Sequence, residues 1–459
     1  MRSLRAATLL IILFLMFSSC SSIYVSDPEH TANASIEVDP NEEYFTLGTH
    51  HTKITNEGFV YKDYYIYIDT QEYQEPITHP NGDIGYQSKE AQRIVKINVN
   101  TGTVSSVCLN PACNHSVTSD CPMIFTSEVI VTPQGAAGDW FIFSCYHTIN
   151  ELHEMVPDTY AYNMITGELI GLFEYNVNES VLNTTGGVLL ADDKVYFVKN
   201  VLDYSNTGYQ GGSNANLDKY TPETKSYLYQ FDCETKELSE LMEVPYGYKI
   251  TARSNERFFF FCLKGDIYGE IYSCSINGGE LTKEDVWNFS PQDFIGTYAY
   301  YCDAYNRRID IYDLRTNTHK VIETPYNYAW YYVTDEGIVL STFADDEKYA
   351  EVYASPLKKT DFLAWDTECR KTRAESTALV YLLDFDGSNP RLIFEKEKVE
   401  IQAMDYSGKY LFGYAYYYDP ENSYARIKME NDGRALINIE TGEITMIPLL
   451  ELILPEGYK

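Results

Sequence analysis

The chain has 459 residues, a formal net charge of −32, 44% hydrophobic residues and 42 tyrosines. That apolar fraction can fill a sizeable core, which excludes a disordered or fibrous protein. The charge argues against nucleic acid as a partner, because a phosphate backbone needs a basic face, and it disfavours acidic phospholipid surfaces for the same reason. No apolar run long enough to span a bilayer follows the first twenty residues.

The N-terminus reads as an export address. Arg2 and Arg5 precede an apolar segment from Ala6 to Phe17, and Phe17-Ser18-Ser19-Cys20 follows. This pattern predicts a signal peptide over residues 1–19. The small residues before Cys20 resemble a bacterial lipobox, although Phe17 stands where leucine is usual, and the resemblance implies lipidation of Cys20. The polar stretch that follows lacks apolar periodicity, so residues 20–42 are expected to be a flexible, lipidated tether and residues 43–459 a single domain.

Beyond the tether one unit recurs: two β runs rich in Tyr, Phe, Val and Ile, an insert of variable length, an alternating third run, a polar turn and a fourth run. The turns fall at Thr101, Thr166, Thr235, Gly278, Thr316, Gly387 and Thr441. Asn, Asp, Thr and Gly at these places supply the positive φ and local hydrogen bonds that a tight hairpin requires. Four antiparallel strands repeated in this way, with no helix expected between them, predict an all-β fold. The expected architecture is a β-propeller of seven four-stranded blades, with six or eight as alternatives, and a pair of sandwiches as the competing fold. A strand at Tyr44 to Leu47 is expected to pair with the last blade and close the ring.

The segments LDFDGSNPRLI (383–393) and CSINGGELTK (274–283) resemble the repeats of TolB-like propellers, and this similarity extends over roughly residues 43–455. The segment VCLNPACNHSVTSDCPM (107–123) resembles a cysteine signature of surface lipoproteins of anaerobic Gram-positive bacteria. The first resemblance implies a fold and the second an address, and neither implies a reaction.

Cys108, Cys113, His115 and Cys121 form a C-x4-C-x-H-x5-C pattern between the last strand of the first blade and the first strand of the second. Three thiolates and an imidazole can satisfy tetrahedral zinc, and a disulfide staple among the cysteines is the alternative. A catalytic metal would want a local carboxylate base, for which only Asp120 is close in sequence. Cys262 and Cys274 are placed to face each other across a hairpin, Cys145, Cys233 and Cys302 read as buried apolar residues, and Cys369 is expected in a loop as an exposed thiol. His147, His153, Glu151 and Glu154 read as a solvated loop. GxSxG, Walker and dinucleotide fingerprints are absent from the sequence. The calcium-like DFDGSN at 384–389 sits at a repeat turn.

Inserts at 71–92, 146–157, 201–225, 344–376 and 415–430 all join second to third strands, so they are expected on one face of the propeller. They carry Tyr73, Tyr86, Tyr204, Tyr209, Tyr220, Tyr349, Tyr353, Trp365, Tyr417, Tyr418 and Tyr424. Rigid aromatics with a polar tip suit glycans or extended peptides. Trp365, Tyr416, Tyr417, Tyr418, Tyr209 and Tyr86 are therefore the candidate ligand contacts, with packing of the inserts against one another as the competing reading. The expected function is a lipid-anchored, extracytoplasmic binding or scaffolding module for a glycan, peptide or envelope protein. The alternative is a polysaccharide- or peptide-cleaving enzyme with acidic residues in the central funnel.

Overall fold

The computed structural model describes residues 58–459 apart from 127–128, 149–154, 174–178, 181–187, 192, 204–222, 254–255, 265–267, 285–292, 296–297, 304–307, 314–317, 324–329, 335 and 430–432. The protein is an all-β propeller of seven antiparallel sheets, spanning residues 59–126, 129–173, 179–244, 248–284, 293–323, 330–397 and 400–446. The expected seven blades are present, and the uneven repeat spacing lies in the second-to-third strand connections and, in blade one, in the excursion of residues 107–123. The signal peptide, Cys20, the tether and the Tyr44–Leu47 strand lie outside the described residues.

A blade stacks both of its faces on neighbours, so its inner strands can be apolar on every residue. The strand Gly337–Phe343 is buried throughout. Blades one and two share a core of Ile66, Ile68, Ile94, Phe141, Phe143 and Tyr162, and the blade six and seven seam holds Val380, Phe394, Ile401, Leu411 and Ile437. Each such side chain stabilises by about 1.5–3 kcal/mol relative to exposure.

The repeat turn has one construction in four blades. Asn98 Oδ1 accepts from the amides of Asn100 and Thr101 at 3.0 and 3.1 Å, and Asn163 does the same for Ile165 and Thr166 at 3.0 and 2.9 Å. Asp232 serves Glu234 and Thr235 at 3.0 and 2.9 Å, and Asn438 serves Glu440 and Thr441 at 3.0 and 3.2 Å. The next residue has positive φ: Gly102, Gly167 and Gly442, with Lys236 in the third blade. The DFDGSN segment forms the corresponding turn of blade six, with the Gly387 amide donating to Asp384 O at 2.7 Å.

Blades one and seven are each built from strands consecutive in sequence, so the described strands of these two blades exchange no member across the seam. Their seam is a packed core of Tyr65, Tyr67, Val95 and Ile97 against Phe412, Leu436 and Ile447. Tyr65 stacks on Phe412 at 4.5 Å, and Arg434 of blade seven donates to Ile68 O at 2.7 Å. Residues after Met446 then cross onto blade one.

Candidate metal centre and insert-bearing face

The Cys/His loop is an excursion within the outer edge of blade one. The third strand, Ile84–Asn98, pairs first with Val104–Ser106 and then with Ile124–Thr126. Residues 107–123 leave and return at Ile94, whose carbonyl accepts from Val107 N at 3.2 Å and whose amide donates to Met123 O at 3.0 Å. The sequence placed the loop between blades; the return strand shows that it rejoins blade one before blade two begins. Its wall on the other side is Tyr162 of blade two, which accepts from Leu109 N at 2.9 Å.

Inside this neck the four expected ligands converge, with the three sulfurs and the imidazole nitrogen all within 4.8 Å of one another. Tetrahedral zinc at about 2.3 Å from sulfur sets neighbouring sulfurs about 3.8 Å apart, so small inward movements suffice. His115 Nδ1 lies 3.5 Å from Cys121 Sγ, already near such an edge. His115 adopts φ 52°, and its amide donates to Cys113 Sγ at 3.4 Å. Burial pushes the Cys108 and Cys121 thiols up. At Cys113 the upward push of burial is outweighed by the His115 amide and the neighbouring thiols, which leave it below the ordinary thiol value. All three thiols are free. Asp120 is exposed. The residues fit a closed Cys3His metal site, and four protein ligands leave no open position for substrate.

Elsewhere the cysteines depart from expectation. Cys262 pairs with Glu270 and Cys274 with Phe258, so the two thiols do not face each other; Cys274 Sγ instead lies 3.6 Å from Met242 Sδ. Cys145 and Cys233 are buried as expected. Cys369 is only 3% exposed and lies in a helix, not a loop.

That helix belongs to the blade six insert, where no helix is expected from the sequence. It folds as α1 (Asp346–Tyr353), α2 (Leu357–Thr360) and α3 (Phe362–Glu375). Asp361 caps α3 by accepting from Ala364 N at 3.0 Å. Trp365 is buried against Phe343, Tyr349 and Cys369, and its indole N–H donates to Tyr353 O at 3.2 Å. In this position it packs the insert together, as the competing reading of the inserts expected. The exposed large apolar groups of this insert are Tyr353, Leu357, Phe362 and Leu363, the last two 60% and 75% exposed.

Tyr418 is also buried, and its hydroxyl donates to Glu400. Tyr416 lies under the Arg426 guanidinium at 3.6 Å and stacks on Tyr414 at 5.7 Å; Tyr417 packs on the blade six and seven core. Tyr86 is 41% exposed, with Lys459 Nζ 3.8 Å from its ring centroid. Tyr209 falls outside the described residues, as do Tyr204, Tyr220, Glu151, His153 and Glu154.

The sequence missed the polar node beneath these inserts. Glu400 opens the innermost strand of blade seven, Glu400–Tyr406. Its carboxylate lies 3.3 Å from Arg373 of α3 and 3.3 Å from Arg426 of the blade seven insert, and accepts from Gln402 Nε2 at 2.9 Å. Burial raises its pKa, but the two guanidiniums, Tyr418 and Gln402 outweigh that and hold the carboxyl below its ordinary value. Glu400 is an ion-paired anion joining two inserts. No local spacing links residues 373, 400 and 426.

No protein-family profile and no curated protein sequence matches the chain. Among solved structures, it is similar to an oligogalacturonate lyase in complex with manganese, at 9% identity and TM-score 0.37, covering 86% of each chain. It is also similar to the oligogalacturonate lyase of Vibrio parahaemolyticus (9%, TM-score 0.38, 85% of this chain and 89% of that one). A third similar structure is the Pyrococcus horikoshii acylaminoacyl peptidase (11%, TM-score 0.39, 88% of this chain), of which the chain spans about half, 52%. At these TM-scores the likeness carries no inference about function.

Proposed function

We propose that the protein is an extracytoplasmic binding or scaffolding module, lipid-anchored through Cys20, that engages a glycan or peptide through its insert-bearing face and carries a structural zinc ion at Cys108, Cys113, His115 and Cys121. The observation that carries the binding reading is the joining of the blade six and blade seven inserts through Glu400, while Tyr353, Leu357, Phe362 and Leu363 remain at the surface. A rigid platform with exposed apolar tips loses little conformational entropy on binding. The imidazole within the thiol cluster favours metal over a disulfide staple, since a disulfide uses two sulfurs and no nitrogen. Glu400, which opens the inner strand of blade seven, is committed to two guanidiniums and so does not serve the cleaving-enzyme alternative.

The test is a glycan and peptide array probed with the folded chain and with Phe362→Ala and Leu363→Ala. Loss of the captured ligand by about 1–3 kcal/mol in these variants supports the platform; binding unchanged in both moves the ligand elsewhere. Elemental analysis should find about one zinc per chain.

A further inference from the structure

The residues after blade seven run back across the ring seam, and the groove that receives them has the Cys/His loop as one wall. Ile447 enters the core between blades seven and one. The next carbonyls are captured by a buried guanidinium: Arg93 donates to Leu450 O and, at 3.0 Å, to Glu451 O, while Gln71 Nε2 donates to Leu450 O at 2.7 Å. Ile453 then bridges to Ser116, and its carbonyl accepts from Val117 N at 3.2 Å. Leu452, Leu454 and Tyr458 pack on Tyr73, Ala91 and Val117. At the end, Lys459 exchanges two backbone hydrogen bonds with Gln74, at 2.6 and 3.0 Å.

The tail is thus held by the long hairpin of blade one on one side and by residues 116 and 117 on the other. Those two residues directly follow His115. Ser116 N is fixed by Asn114 Oδ1 at 3.1 Å, and Ser116 and Val117 are both buried. A metal that holds His115 therefore holds the wall of the tail groove, and a seated tail in turn holds His115 in position.

We propose that metal loading of the Cys/His loop and docking of residues 447–459 are one coupled event, a metal-dependent latch that closes the propeller between its first and last blades. The inference rests on the zinc reading above and adds a role for the ion: it stabilises ring closure, and the tail it holds packs on the blade one insert at Tyr73, Gln74 and Ala91. Coupling of this kind is reciprocal, so the tail must strengthen metal binding by the factor by which metal strengthens tail docking.

The experiment is hydrogen exchange on the full chain, zinc-loaded and chelator-stripped, read at the amides of Gln74, Val117 and Lys459, with zinc affinity measured in parallel on Tyr458→Ala and on a chain ending at residue 448. Stripping zinc should speed exchange at these three amides by about tenfold or more while amides of blade four stay unchanged. The tail variants should weaken zinc binding by about fivefold or more. The Tyr458→Ala arm covers the case in which the truncated chain does not fold. Stoichiometric zinc with unchanged exchange in the tail overturns the latch and leaves the zinc site standing. A chain that binds no zinc overturns both.

Discussion

The guanidinium of Arg93 donates to the carbonyl of Glu451 at 3.0 Å, joining residues 358 positions apart in the chain. Arg93 is 3% exposed, and its charge is balanced by Asp69 at 2.5 Å. Removing one partner of such a buried pair strands the other, at a cost of about 3–5 kcal/mol. Arg93→Met should therefore lower the unfolding free energy by about that amount and expose the C-terminus to carboxypeptidase. The double variant Arg93→Met with Asp69→Leu should recover most of the stability while the tail stays exposed. Full protection of the tail in either variant would show that Arg93 does not hold it.

Glu400 sets a pH dependence. Its carboxyl is held below the ordinary glutamate value of 4.5. A carboxyl depressed in the folded state contributes stability that is fully present above its unfolded value and lost as pH falls through the folded one. The thermal midpoint should be insensitive to this group between pH 7 and about 5.5 and should fall as the medium is acidified below 4.5. Glu400→Gln should cost about 3 kcal/mol at neutral pH, because Arg373 and Arg426 lose their counter-charge, and should flatten the acid limb. An acid limb of unchanged slope in the variant would remove Glu400 as its source.

The blades were legible because their information is local. Asn98, Asn163, Asp232 and Asn438 each build a turn with residues two and three positions on, and such a device shows in any linear reading. The metal centre was legible for the same reason, since its four ligands lie within residues 108–121. The helical insert was not: Phe362, Leu363, Trp365 and Cys369 do not fall on one clean stripe, and half of them face solvent. The sequence presents Trp365 as a candidate ligand contact with packing as the competing reading, and it could not choose between them because an aromatic in an insert carries no mark of which side it buries. The Glu400 node was invisible because its partners come from two neighbouring blades, and the Arg93 contacts because only the closed ring brings residue 93 beside residues 450 and 451.

Lipidation is the expectation drawn from Ser19-Cys20 and the apolar segment before it. Cys20→Ala should release the protein into the medium or leave it unprocessed, because acyl chains on Cys20 are its expected membrane anchor. Detergent partitioning and processing that match the unsubstituted chain would defeat the lipoprotein reading.

Trp365 and Phe362 provide the sharpest separation of packing from recognition, since their ring centroids are only 5.2 Å apart and yet one is 9% and the other 60% exposed. Trp365 closes a small core with Phe343, Tyr349 and Cys369, so Trp365→Ala should cost about 3–5 kcal/mol through lost burial and the cavity left behind. Phe362→Ala and Leu363→Ala remove side chains that face solvent and should leave stability within about 0.5 kcal/mol. Melting temperatures of the three variants, measured beside the ligand arrays, check both halves. If Trp365→Ala melts like the parent chain, the insert is not held by that core. If Phe362→Ala or Leu363→Ala unfolds early, the exposed tip is packing against part of the chain, and the binding surface has to be sought among the remaining exposed groups, Tyr86 first.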